Sequence, residues 1–281
     1  MMTAKQKCSA CRTDVSIPSF TMAFQPIIDI ESGRPYAYEA LVRPIGGGSA
    51  AEVLSQIGEH NRYAFDQACR VRAIEMAALL ELKEILSINF LPNAVYQPAA
   101  CLAKTFAAAR RANFPVHHLM FEVTENEPAR DVSHLQAIFT EYKKHGMITA
   151  IDDFGAGHSG LNMLADFQPD ILKIDMALTR AIATDSVRSK IVAAIVMLCQ
   201  SLHVSVVAEG IETLQEAVAL RHLGVRLFQG YFFARPGLEK LPIVPMDRID
   251  SVRRAHESLL LDPASAGEQG AGELRYAHVI G

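Results

Sequence analysis

TMAFQPIIDIESGRPYAYEALVR, residues 21–43, is the stretch whose reading decides the fold. It holds two β-rich runs, 21–29 and 36–43, joined only by residues 30–35 with Ser32-Gly33 as the turn. A parallel crossover needs a dozen or more residues, so this first pair is expected to be antiparallel. Downstream the spacing changes. Further β-rich runs lie at 85–90, 118–124, 147–152, 171–174, 204–208 and 227–231. Between them, apolar residues recur at helical spacing over 50–60, 63–82, 94–112, 131–145, 159–167, 186–202 and 213–223. Thr213 and Gly224 bracket the last helix as caps, and Gly146 separates 131–145 from the next strand. Eight strands alternating with helices predict an α/β protein, a modified (β/α)8 barrel with an antiparallel first strand. An open doubly wound sheet is the alternative.

Bulk properties narrow the function. The chain has 281 residues and a net charge of -4, which gives no global electrostatic case for long nucleic acid. The longest purely apolar stretch, 191–199, is less than half of a membrane span, so no membrane insertion is expected. Lys5 and Lys7 are followed by Cys8, Ser9 and Cys11 rather than by an apolar core, so no secretory signal is expected. The five scattered cysteines, Cys8, Cys11, Cys69, Cys101 and Cys199, read as reduced thiols in a cytoplasm. Cys8-x-x-Cys11 has no second pair nearby to complete a zinc knuckle, and Gly46-Gly47-Gly48 lacks the Lys-Ser/Thr of a P-loop. The expected organisation is a flexible segment at 1–18, a barrel at 19–245, and a C-terminal extension at 246–281. The extension is expected to be helical over 245–261 and then a Gly- and Ala-rich tail.

The acids sit where strands end. Glu39 lies on the second strand, Asn89 ends the third, and Glu122 lies on the fourth with Glu125 just beyond. Asp152-Asp153 end the fifth strand, Lys173 and Asp175 follow on the sixth, Glu209 on the seventh and Gln229 on the eighth. Each alone reads as a cap or a solvated loop residue. In a barrel, however, the carboxyl ends of all strands converge on one face. So many carboxylates would repel unless cations balanced them. A hard, oxygen-rich set with one Asn amide suits Mg2+ or Mn2+, and adjacent aspartates let one bridge two ions, an arrangement suited to phosphoester cleavage.

The ordered motifs resemble a known family. Gln25-Pro26-Ile27, Glu39-Ala40-Leu41 with Arg43, Ser87-Ile88-Asn89 and Glu122-Val123-Thr124-Glu125 open the series. Asp152-Asp153-Phe154-Gly155-Ala156-Gly157, Leu172-Lys173-Ile174-Asp175, Ala208-Glu209-Gly210-Ile211-Glu212 and Gln229-Gly230-Tyr231-Phe232-Phe233-Ala234-Arg235-Pro236 complete it. Together, over residues 20–236, they resemble the EAL-domain cyclic di-GMP phosphodiesterases. The resemblance implies a TIM-like barrel, commonly dimeric, that hydrolyses this bacterial second messenger to linear pGpG with two divalent cations. By matching motif, Glu39, Asn89, Glu122 and Asp152 would bind one metal, and Asp152, Asp153 and Glu209 the second. Lys173 would contact the nucleophilic water, with Lys173 or Glu209 as proton acceptor. Asp175 and Gln229 would support that shell, and Glu125 would anchor the loop 153–161, which in this family couples dimer contacts to metal binding. Gln25, Leu41, Arg43 and Glu212 would hold the ligand, Arg43 through a phosphate, and Asp66 would face a guanine edge.

Two departures stand out. Ala156, His158 and Gly160 occupy positions where the family usually has Thr, Tyr and Ser, and the interval from Arg43 to Asn89 is shorter than usual. A receptor that binds without cleaving and a barrel acting only through a partner are the competing functions. The complete metal set favours the hydrolase; intact Gln25 and Arg43 weigh against a barrel that has lost its ligand.

Overall fold

The computed structural model describes residues 15–95, 97–125, 132–157 and 160–261. Cys8, Cys11, His158 and the 262–272 tail therefore lie outside the described residues. Strand β1 (Thr21–Asp29) pairs antiparallel with β2 (Arg34–Arg43) along its whole length, from Thr21 opposite Arg43 to Asp29 opposite Arg34. The connection closes tightly, Gly33 N donating to Asp29 O at 2.9 Å. From β2 onward each strand runs parallel to the last: β3 (Ile85–Asn89), β4 (Leu119–Thr124), β5 (Ile148–Phe154), β6 (Ile171–Ile174), β7 (Ser205–Ala208) and β8 (Leu227–Phe228). β8 then pairs antiparallel with β1 through Ile28 and Phe228, which closes the barrel and excludes the open sheet. The ninth strand, β9 (Gly237–Leu238), pairs with Ala23 and Phe24, the half of β1 that two-residue β8 does not reach.

Helices α1 (Ala50–Leu54), α2 (Arg62–Leu79), α3 (Pro98–Ala112), α4 (Val132–Lys144), α5 (Gly160–Asp166), α6 (Met176–Thr179), α7 (Ser186–Ser201), α8 (Leu214–His222) and α9 (Met246–Leu261) cover the barrel. Several expected elements are shorter than their apolar pattern: the helix expected over 94–112 begins at Pro98, the one expected over 63–82 ends at Leu79, and two more have a cause visible in the turns beside them. The helix expected over 50–60 stops at Leu54, because Asn61 accepts from Gly58 N at 2.8 Å and donates to Gln56 O at 3.1 Å, folding that segment into a turn. The strand expected over 227–231 stops at Phe228. The chain turns at Gly230, which lies so close to the Ile211 backbone that any Cβ there would overlap it.

Inside the barrel the side chains form layers. Ile27, Ala37, Met120, Ala150, Ile171, Val207 and Leu227 make one buried apolar cluster, a plug across the barrel floor. Successive strand side chains alternate faces, so residues two positions apart share the interior. Two positions from these plug residues, toward the mouth, stand Gln25, Glu39, Glu122, Asp152, Lys173, Glu209 and Gln229. The site is the layer laid on the plug. Outside, one apolar cluster packs α2, α3 and α4 on β2 to β4, and a second joins α7 and α8 to β5 through β8. α9 contributes Ile249 and Val252 to that second cluster, and Arg253 donates to Ile30 O at 2.8 Å and Glu31 O at 2.7 Å. Residues 246–261 are thus packed on the barrel as a buttress for the β1–β2 turn.

Candidate active site

The centre of the site is Lys173, whose side chain is wholly buried. Its Nζ lies 2.8 Å from Glu209 Oε1, 2.9 Å from Glu122 Oε2, 3.0 Å from Asp152 Oδ1 and 3.3 Å from Glu39 Oε2. Burial alone would push this amine down, but the four surrounding carboxylates outweigh it and hold Lys173 well above its ordinary range. The carboxylates feel the converse. Burial, opposed by Lys173 and reinforced by Glu39 and Asp152, raises Glu122 to about 8, and burial with the Asp152 charge raises Glu209 well above the usual range.

Two amides orient Glu39: Asn89 Nδ2 donates to Oε1 at 2.8 Å and Gln229 Nε2 to Oε2 at 2.7 Å. Gln229 also donates to Gln25 Oε1 at 3.3 Å, and Gln25 donates to Ala234 O at 3.1 Å, tying β1 to the segment after β8. Regular strand alternation would send Asp152 and Asp153 to opposite faces. Instead, the β5–β6 register shifts between Ile151 and Phe154, and Asp153 takes a left-handed backbone with φ 55°. That irregularity brings both carboxylates to the mouth. Burial and the charges of Asp152 and Asp175 raise Asp153 to about 6.

The result is two overlapping groups, Glu39–Glu122–Asp152 and Asp152–Asp153–Glu209, each with ligand oxygens within 4.8 Å of one another. The donor set fits hard cations. It is all carboxylate, with the Asn89 side chain bonded to Glu39 at its edge, and Glu122 Oε1 is buried with no hydrogen-bond partner. Asp152 Oδ1, though near Lys173, makes no hydrogen bond of proper angle either.

Other predicted residues fall as follows. Glu125 accepts from Gly155 N at 2.8 Å, Gly157 N at 3.2 Å and Gly160 N at 2.5 Å, so one carboxylate gathers the loop beside the metal groups. Asp175 caps α6 by accepting from Ala177 N at 2.8 Å. Leu41 and Arg43 are partly exposed at the end of β2, with Arg43 Nη1 donating to Val42 O at 2.7 Å. Glu212 stands on the rim in a two-pronged ion pair with Arg180, at 2.5 and 2.8 Å. Asp66 is not brought to the open side, contrary to its expected place at a guanine edge. It is buried, accepts from Leu91 N at 2.9 Å and Gln67 Nε2 at 3.3 Å, and pairs with Arg70 at 2.9 Å. Sequence reading passed over Arg70, which donates to Tyr142 Oη at 2.9 Å and lies among the rings of Phe90, Phe121 and Tyr142. The four-residue spacing of Asp66 and Arg70 on one helix was the available signal.

Residues 9–236 match the EAL domain. The chain belongs to the EAL domain family. A standalone EAL protein from Vibrio cholerae O395, solved with c-di-GMP bound, matches this EAL domain with a TM-score of 0.80 at 50% identity, covering 82% of this chain and 97% of that one. Klebsiella pneumoniae BlrP1, solved with manganese and cyclic di-GMP, matches with a TM-score of 0.74 at 38% identity, over 78% of this chain and 56% of that one. The probable cyclic di-GMP phosphodiesterase PdeD of Escherichia coli is 32% identical over 77% of this chain and 41% of its own length. This EAL domain spans about half the length of the curated relatives it matches. No helix among the described residues is long and apolar enough to cross a membrane, and Cys69, Cys101 and Cys199 are free thiols.

Proposed function

We propose that this chain hydrolyses cyclic di-GMP to linear pGpG with two divalent cations, Mg2+ or Mn2+, on the cytoplasmic side of a bacterial cell. The observation that carries the reading is the pair of carboxylate groups sharing Asp152 around Lys173. Five carboxylates against one ammonium leave four negative charges when all are ionised, the charge that two divalent cations neutralise. Glu39, Asn89, Glu122 and Asp152 would hold one ion, and Asp152, Asp153 and Glu209 the other. Bound there, the cations would neutralise the phosphate and acidify the attacking water.

The chain's own residues do the rest. Arg43 binds a phosphate oxygen from the end of β2, with Gln25 and Leu41 beside it, and Glu212 is offered to the ligand from the opposite rim. Lys173, a cation among carboxylates, donates to the oxygen of the attacking water. Glu209, whose side chain is 15% exposed against none of Lys173, is the group positioned to accept its proton. Asn89 and Gln229 fix Glu39, and Glu125 holds the backbone of Gly155, Gly157 and Gly160 in place. Residues 19–245 carry this chemistry, with 246–261 bracing the barrel floor.

The test is incubation of purified protein with cyclic di-GMP and Mg2+ or Mn2+, with and without EDTA, following products by chromatography. Linear pGpG is expected with metal only. Tight binding without cleavage would replace the enzyme by a receptor and direct attention to the loop at Ala156 and Gly160.

The reading includes a homodimer. Val187, Ile191 and Leu198 are exposed along one side of α7, and Leu161 is exposed beside them. Ile191, Leu198 and Leu161 line one apolar hollow with Gly155, Gly157 and the Glu125 side chain, so a second copy there would also cover the loop beside the metal groups. Ile191→Asp is expected to give a monomer by light scattering, and activity at least tenfold lower at the same protein concentration. A dimer that survives this change would place the interface elsewhere.

A further inference from the structure

The short helix α6 follows Asp175 directly, and three of its residues, Met176, Leu178 and Thr179, touch turns that carry metal-binding candidates. Thr179 is 1% exposed, and its hydroxyl donates to the backbone carbonyl of Glu209 at 2.6 Å. On the other side of the same residue, Glu209 N donates to Ile174 O at 3.1 Å. The Glu209 peptide is therefore held at both ends by the β6–α6 segment. The next residue, Gly210, has φ 65° and lies under Met176, with no room for a Cβ. Toward the other aspartate, Leu178 lies directly over Gly155, and Asp175 N donates to Phe154 O at 3.1 Å. One turn of helix thus spans from the Asp153 turn to the Glu209 turn, the two sides of the Asp152–Asp153–Glu209 group.

We infer that Thr179 is a positioning residue for the second cation, acting through Glu209, and that α6 is the bracket that sets the spacing of that group. The inference rests on the proposed two-cation site. Its physical basis is the lever arm of a strand end. Glu209 is the last residue before a glycine turn, so without a partner for its carbonyl the peptide can rotate and swing the carboxylate away from Asp152 and Asp153. A carboxylate ligand is useful only when held within a fraction of an ångström of its place, and outer groups that orient ligands affect metal affinity strongly. The buried hydroxyl supplies that hold, and a valine of the same shape would not.

The test is Thr179→Val, with Thr179→Ser as the conservative variant, titrated with Mn2+ alone and read by the free-ion electron paramagnetic resonance signal. Wild type is expected to bind two ions. Thr179→Val is expected to weaken one of them roughly three- to tenfold while leaving the other unchanged, and Thr179→Ser to restore it. The same substitution in a Glu209→Gln background should have no further effect on Mn2+ affinity, which a merely structural role would not reproduce. Unchanged Mn2+ affinity in Thr179→Val, or an equal loss in the Glu209→Gln background, would overturn the inference. Wild type binding no Mn2+ at all would instead overturn the two-cation reading on which it stands.

Discussion

Asp152→Ala is expected to abolish turnover of cyclic di-GMP, lowering kcat/KM by roughly a thousandfold or more, because a lost metal centre removes several kcal/mol of transition-state stabilisation. Asp152 belongs to both carboxylate groups, so its removal should empty both cation sites where loss of Glu122 or Asp153 would touch one. Mn2+ titration should accordingly show no ion bound at micromolar concentrations. The fold should persist. Asp152 is one of four carboxylates on Lys173, and the remaining three still neutralise the amine. Circular dichroism should match wild type. Near-normal pGpG formation by Asp152→Ala would show that the chemistry lies elsewhere.

The largest effect on stability is expected at Arg70. Its guanidinium is fully buried, paired with Asp66 at 2.9 Å, bonded to Tyr142 at 2.9 Å, and enclosed by three aromatic rings at 5.1 to 5.9 Å. Burial works against the charge, yet Asp66 and the Tyr142 oxygen more than offset it and hold the arginine above its ordinary range. Arg70→Ala would leave Asp66 buried without its cation, together with a cavity among Phe90, Phe121 and Tyr142. Breaking a buried pair in this way costs about 3–5 kcal/mol. Urea denaturation should show that loss, and Arg70→Ala combined with Asp66→Asn should recover part of it, since the second change removes the stranded charge while leaving the cavity. Equal losses in the two variants would mean that packing, not the unpaired carboxylate, dominates. Because Asp66 also accepts from Leu91 N, two residues beyond Asn89, the pair is expected to matter for the metal site through the β3 turn as well.

Much of this protein was legible from the chain itself, for reasons that are local. The short 30–35 connection could only make an antiparallel pair, and Ile28 opposite Phe228 then closes the barrel on that strand. The period-two spacing of Ile27 with Gln25, Ala37 with Glu39 and Ile171 with Lys173 already orders the plug and the site layer above it. Asp66 shows where matching motifs reach their limit. Its spacing to Arg70 is local, but whether a helix residue faces a ligand or a core depends on what lies behind it, here Phe90 just past β3 and Phe121 on β4.

The sequence by itself determined the family, the alternation of strands and helices, and the identity of the acids at the barrel mouth, because motif order and side-chain period are properties of one strand at a time. Only the tertiary structure decided how those acids are shared. The bulge with Asp153 at φ 55° turns two consecutive aspartates to one face, and Lys173 reaches three carboxylates on other strands and a fourth, Glu209, just past the end of β7. Thr179 fixes Glu209 from 30 residues away. Those distances depend on barrel closure and strand stagger, which no single segment encodes.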